Sequence, residues 1–498
     1  MPSTGFRHWF YTDRENRRLL VFSSVAALLL FAWLKIDCPY PNFIPDSYSY
    51  LQAAYFNDFI HIRPIGYSKF LRFFSSFSRS HLALVLTQYL LLQAAIVYFF
   101  LTIRYLLQPG KWTLRILLAC TIVNPLLLKL ANFITSDALF TVLSLIWFSQ
   151  LLRLLVYPDR RLLLTHSFVL LMTFTVRYNA LFYPVLSILV IFNAPLRFRT
   201  RFVFTGLILF LLGVFISRTQ YEYRQKTGSR QFSAFGGWQL AINALYGYAH
   251  EPLDSIQMLP LPLQALHREV NRQMDSLNQI SSRPDSYLGI YYLSDWHSPL
   301  NMYLREDSSR PQLKGHVNRW LLMGELYGQY GRYIIQHHPK AYARYFLIPN
   351  FRNYCLPPAE FMAYYDLGNK TLPPIAVNWF RLPDHTVYTY QSDSRLPIID
   401  EMPIVFTIAQ LVFLMSFLAL WITGSFRRLS RSIQKIFIAM LLFWCCNFFF
   451  SVTASVIVLR YQVFPMIIFY TFGTQLTIFL YQTTRQYVIS KPAPKTTI

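Results

Sequence analysis

Acidic residues are scarce outside the segment 219–402: Asp13, Glu15, Asp37, Asp46, Asp58, Asp137 and Asp159 are all there are. Asp46 follows Pro45 and opens an aromatic, apolar stretch (PDSYSYLQAAY), the pattern of a helix N-cap. A carboxylate held there can also take a proton from an attacking hydroxyl, or ligate a metal. Further along the same loop, Asp58, His61 and Tyr67 are candidates for supporting or acceptor-site roles, around the run Arg63-Pro64-Ile65-Gly66-Tyr67. Arg63 has the chemistry to grip a phosphate through paired, charge-assisted hydrogen bonds, or to anchor at lipid headgroups. Asp137, in Thr135-Ser136-Asp137-Ala138, opens an apolar run where its charge complements a helix dipole, and a helix cap is again the plain reading. Arg177-Tyr178 and Arg460-Tyr461 add two arginines and two tyrosines, and either arginine can bind an anion or a headgroup.

The elements that must position these residues are membrane spans. Of the 498 residues, 54% are hydrophobic and 14% charged, against about a quarter charged in a soluble protein. A crossing helix needs roughly 20 mainly apolar residues. The spans predicted on that basis are 19–36, 82–107, 113–130, 135–156, 162–176, 180–194, 202–217, 403–424, 434–454 and 461–482. Basic clusters fall at every second boundary: Arg7/Arg14/Arg17/Arg18, Arg104/Lys111/Arg115, Arg153/Arg160/Arg161, Arg197/Arg199/Arg201, Arg427/Arg428/Arg431/Lys435 and Arg485/Lys491/Lys495. The positive-inside rule then puts both termini in the cytoplasm, and Asp46, Arg63, Asp137, Arg177 and Arg460 at the outer boundary. The first run lacks a small-residue cleavage site and reads as a signal anchor. The fold class is an α-helical polytopic membrane protein of about ten spans with an extracytoplasmic, mainly helical insertion. Residues 1–217 form a seven-span module with the first outer loop at 37–81, 218–402 the outer segment, and 403–498 three further spans and a short cytoplasmic tail.

The net charge of +23 invites a nucleic-acid reading, but its distribution opposes one. Residues 219–402 hold 17 Lys+Arg and 16 Asp+Glu, and the remaining 29 basic residues sit in short clusters between apolar runs. Cys38, Cys120, Cys355, Cys445 and Cys446 show no zinc spacing. Cys120, Cys445 and Cys446 read as core residues, while Cys38 and Cys355 both face outside and a disulfide between them stays open. The stretch His338–Asn350 is amphipathic, either a helix lying on the membrane or one packed in a folded unit. No nucleotide loop or hydrolase signature is present.

One order of motifs recurs: Asp before an aromatic helix (PDSYSY), basic-Pro-x-Gly-Tyr (RPIGY), Ser-Asp opening a span (SDALF), and a late Arg-Tyr with a following proline (RYQVFP). This resembles the GT-C superfamily of polyprenyl-phosphate-sugar glycosyltransferases, in the style of bacterial relatives of protein mannosyltransferases and lipid A aminoarabinose transferases. The resemblance spans roughly 19–217 and 403–482. It implies Asp46 as base or metal helper (Mg or Mn), and Arg63 as a contact to the donor phosphate. It further implies Asp137 as the acid opening a later span and Arg460 as the late arginine. Arg177 and Tyr461 join the donor-phosphate set. Ser47 stands where the family often carries a second acidic residue. The expected activity is inverting transfer of a sugar from a polyprenyl phosphate to a lipid, glycan or protein acceptor. The expected place is the periplasmic face of a bacterial inner membrane. A flippase for lipid-linked saccharides, a polysaccharide polymerase or ligase, and an assembly scaffold are the competing classes.

Overall fold

The computed structural model describes residues 5–306, 315–387 and 395–490. Its regular structure is helical throughout, and eight helices are long and apolar enough to cross a membrane: Arg14–Asp37, His81–Leu107, Lys111–Asn132, Ser136–Val156, Phe198–Thr227, Pro397–Ile422, Arg431–Ala454 and Val463–Arg485. Leu, Phe and Ile dominate these runs, and such side chains gain nothing from water on any face. Val21, Leu28, Leu29, Phe210, Val214, Leu411 and Met415 point outward, so the bundle is sheathed in apolar surface of the kind a bilayer covers. The chain is a polytopic helical membrane protein.

Helix boundaries follow local chemistry. Asp13 caps the Arg14–Asp37 helix by accepting from the Asn16 amide at 3.0 Å, and Arg104 of the next span reaches the same carboxylate at 2.9 Å. Asn124-Pro125 breaks the third span into Lys111–Ile122 and Pro125–Asn132, because proline has no amide to donate and asparagine restarts the helix as its cap. Two expected spans form shorter helices. Arg160–Val176 has 17 residues and stops at Arg177, and the next apolar stretch is Tyr178–Asn193. The Phe198–Thr227 helix runs on past residue 217 and ends at Gly228 in the left-handed region.

The segment beyond it has a core of its own. Helices Ala234–Tyr248 and His316–His337 approach backbone to backbone: a Cβ on Gly237 would stand 1.7 Å from the Gly324 carbonyl oxygen. Trp238 stacks flat on Trp320 at 4.8 Å and donates its indole N–H to the Trp320 carbonyl. Ile60 of the first loop belongs to this second core. The amphipathic stretch is a packed helix: it runs from Pro339 to Cys355 through a π-turn at Ala343–Leu347, with Ala341, Phe346, Asn350 and Tyr354 buried and Ile348 and Phe351 outward. One cysteine reading changes, and the open question of a disulfide is answered. Cys120 is exposed on the outside of its helix and is no core residue, and Cys38 and Cys355 are both free thiols.

Candidate functional site

The loop after the first span is pinned beside the start of the fourth. Asn42 donates its amide to the Asn132 carbonyl at 2.9 Å and accepts from the Ile134 amide at 3.1 Å. That short bridge lays the starts of helices Pro45–Tyr55 and Ser136–Val156 side by side. The two aspartates expected as caps are not caps. Ile44 and Thr135 hold the cap positions, and Asp46 and Asp137 are each the second helical residue. Ser47 takes the Ile44 amide at 3.0 Å, and the Thr135 hydroxyl donates to Asp137 Oδ2 at 2.8 Å. Relieved of capping, the two carboxylates turn inward at the positive ends of their helices.

Three arginines from distant parts of the chain meet them. Arg63 Nη2 is 2.5 Å from Asp46 Oδ1, with its guanidinium 4.4 Å over the Phe235 ring. Arg177, the C-cap of Arg160–Val176, binds Asp137 Oδ1 through Nη1 and lies 4.6 Å over the Tyr461 ring. Arg460 spans both: Nη1 is 3.1 Å from Asp46 Oδ2 and 3.6 Å from Asp137 Oδ2, and Nη2 donates to the Tyr461 hydroxyl at 3.1 Å. Among the described residues the buried Arg460 Nε–H has no acceptor. Side-chain exposures run from 3% for Asp137 to 17% for Arg63.

Three guanidiniums against the two carboxylates they contact leave one positive charge among these five side chains, with Glu360 the next acid whose charge reaches Arg460. Burial alone would raise the Asp46 carboxyl, but Arg63 and Arg460, with Arg177 behind them, hold it at about 2. A carboxylate so held accepts a proton poorly, and its geometry suits orienting the arginines. Burial opposes the charge on Arg460, and Tyr461 and the two aspartates overcome it, so its proton is held well above the usual arginine range. A divalent cation finds a poor donor set: among the described residues no three His, Cys, Asp or Glu side chains converge, and the Asp46 and Asp137 oxygens already face guanidiniums.

The structure thus brings together Asp46, Arg63, Asp137, Arg177, Arg460 and Tyr461. It places three other candidates elsewhere. Asp58 pairs with Lys226 at 2.9 Å, at the end of the long Phe198–Thr227 helix. His61 is buried, 4% exposed, and among the described residues neither ring nitrogen has a partner; desolvation lowers it to about 4 despite the nearby Asp58. Tyr67 lies beneath the cluster, donating to Gln88 at 2.6 Å with its ring edge-on to Tyr50, whose hydroxyl meets the Ser136 hydroxyl at 2.8 Å.

Sequence reasoning missed the loop that roofs the cluster. The Pro358 carbonyl accepts from the Leu459 amide at 2.9 Å, and the Phe361 ring lies 5.6 Å from the Arg460 guanidinium. Between them Glu360 adopts φ 51°, with its surface exposed. Desolvation raises the Glu360 carboxyl, Arg460 lowers it and Asp46 raises it again. Nothing in Pro357-Pro358-Ala359-Glu360 distinguishes this acid from the other fifteen of its segment. Comparison with family models, curated proteins and solved structures returns no match.

Proposed function

We propose that the chain is a membrane glycosyltransferase of GT-C type. It takes a sugar from a polyprenyl phosphate and gives it to a lipid, glycan or protein acceptor by one inverting displacement. The observation that carries the reading is the convergence of Arg63, Arg177 and Arg460, with one charge to spare, at the end of the bundle covered by the 218–402 segment. A polyprenyl-phosphate sugar is a phosphodiester with one negative charge, and the polyprenyl phosphate that leaves carries up to two. Preset cations therefore bind the departing phosphate more strongly than the bound donor, which is the differential that accelerates reaction. The lipid tail keeps the donor in the bilayer, so the cations must sit at a membrane boundary. Tyr461 and the aromatic shelves of Phe235 and Phe361 keep the guanidiniums in place for either charge state. The positive-inside pattern puts this end outside the cytoplasm, which in a bacterial inner membrane is the periplasmic face. Ten crossings follow if the Arg160–Val176 and Tyr178–Asn193 pair also spans. Arg177 at its tip reaches Asp137 at the start of a full span, as such a crossing requires.

The test uses the full chain in proteoliposomes with sugar-labelled undecaprenyl-phosphate hexose and pentose, and bacterial envelope lipids and glycans as acceptors. Transfer by the wild type is expected, with Arg63→Ala and Arg460→Ala each about 10²–10³-fold slower, the cost of removing one preset charge donor. Movement of donor across the bilayer with no sugar transferred would instead make the chain a flippase.

A further inference from the structure

We infer that Glu360 is the group that takes the acceptor's proton, an assignment that rests on the glycosyl-transfer reading. The base must lie beside the phosphate seat, be open to an acceptor arriving from water, and be free of a cation that would hold its lone pairs. Asp46 and Asp137 meet only the first condition: both are enclosed, and their oxygens face Arg63, Arg177 and Arg460. Glu360 meets all three. It is exposed. Among the described residues no Lys, Arg or His forms an ion pair with it, though the charges of Arg460 and Asp46 both reach it. Its neighbours fix it against the arginine turn: Pro358 binds the backbone of Leu459, and Phe361 lies beside the Arg460 guanidinium.

The backbone supports the assignment independently. Glu360 sits in the left-handed region, a conformation that is unfavourable for a residue with a Cβ and is kept where surroundings dictate it. The same loop carries Asp366, Leu367 and Gly368 at positive φ, and Asp366 accepts from the Phe43 amide at 2.8 Å, three residues before Asp46. The loop is therefore tied both to the chain leading into Asp46 and to the turn bearing Arg460, and Glu360 lies on the open side between those ties. Desolvation that raises its proton affinity makes it a stronger base than a free glutamate, and an incoming phosphodiester adds a further negative charge in the same sense.

In the step so assigned, an acceptor hydroxyl gives its proton to the Glu360 carboxylate while its oxygen forms a bond to the anomeric carbon. The bond from that carbon to the phosphate oxygen breaks, and its electron pair leaves with the polyprenyl phosphate, held by the arginines. The sugar inverts, and the Glu360 proton passes to water. No oxidant or second cofactor is needed for the balance.

The experiment compares Glu360→Gln, Glu360→Ala, Asp46→Asn and the wild type, each as the full chain in lipid nanodiscs. Binding of undecaprenyl phosphate is read separately from transfer out of the labelled undecaprenyl-phosphate sugars. Gln keeps the size and backbone demands of Glu. Glu360→Gln is expected to bind undecaprenyl phosphate within about threefold of the wild type and to transfer about 10²–10⁴-fold more slowly, the worth of a positioned base. Formate is expected to restore part of the transfer by Glu360→Ala. The assignment is overturned if Glu360→Gln transfers at the wild-type rate, if it loses lipid binding together with transfer, or if formate restores nothing. It passes to Asp46 if Asp46→Asn alone binds but does not transfer. A wild type that binds undecaprenyl phosphate yet transfers from no donor overturns the glycosyltransferase reading itself, and that failure appears before any variant is compared.

Discussion

Asp137 is the most enclosed charge of the cluster, facing Arg177 on one oxygen and Thr135 and Arg460 on the other. Taking its charge away leaves Arg177 buried with no anion in direct contact. Removing one partner of a buried pair costs about 3–5 kcal/mol, mostly because the survivor stays desolvated. Asp137→Asn is accordingly expected to lower the thermal unfolding midpoint of the detergent-solubilised protein more than Asp137→Asn combined with Arg177→Gln. Equal midpoints for the single and double variants would mean that the pair is not buried in solution. At this scale the sequence was legible wherever a residue broke a trend. Arg177 and Arg460 stood out as cations on the wrong side of the charge pattern, and Asp46 and Asp137 as rare acids near the membrane. Glu360 broke no trend, because its segment is rich in both charges. The caps were misassigned for a physical reason: a serine one residue later and a threonine two residues earlier took over the ends of the two helices.

Helices carry those residues to one place through close approaches that need glycine. Gly66, in the Arg63–Tyr67 motif, begins the Gly66–Ser75 helix where a Cβ would lie 2.6 Å from the carbonyl carbon and the hydroxyl of Thr175. Thr175 is two residues ahead of Arg177, so the motif does two things. Arg63 supplies a cation, and Gly66 lets its helix press against the segment that delivers the second cation. Gly66→Ala forces those backbones apart, at about 1–3 kcal/mol for the added methyl. The expected result is a loss of undecaprenyl phosphate binding of about tenfold or more, since charge-assisted contacts fade with small displacements, with the variant still folded. Unchanged binding would show that the two helices move apart without disturbing Arg177. The long spans were readable because apolar length is a one-dimensional property. Gly66, Gly237 and Gly324 were not, because what they accommodate is a neighbour 85 to 110 residues away in sequence. The exposure of Cys120 escaped for a related reason: in a bilayer both faces of a helix are apolar, so composition does not say which one turns inward.

Across the whole molecule, the arginine–aspartate cluster is assembled from the first loop, the start of one span, the end of the shorter Arg160–Val176 helix, and a turn 414 positions away from Asp46. That last turn, which carries Arg460, is held in part by the segment outside the bundle. Asn350, fully buried on the Pro339–Cys355 helix, donates its amide to the carbonyls of Val452 at 2.9 Å and Ser455 at 2.8 Å, and its Oδ1 accepts from the Ile457 amide at 2.9 Å. Asn243, from the Trp238 helix, adds an amide to the Ala454 carbonyl at 3.1 Å, and Asn447 joins Tyr354 to Gln462. Residues 454–462 thus leave the helix and change direction with the backbone groups of Ala454, Ser455 and Ile457 satisfied by side chains of the outer segment, as a buried turn requires. One asparagine serves two of those groups and the Val452 carbonyl just before them, so Asn350→Ala leaves several donors and acceptors buried without partners, each costing about 1–3 kcal/mol. The cost falls on a short segment that can relax by opening locally. Asn350→Ala is therefore expected to speed amide exchange of 455–462 while the spans keep their protection, and to weaken undecaprenyl phosphate binding through Arg460 though Asn350 touches none of the arginines. Faster exchange with full binding would mean that Arg460 is placed by Asp46 and Tyr461 alone. Loss of both would make the outer segment a working part of the anion site, reaching it through one asparagine.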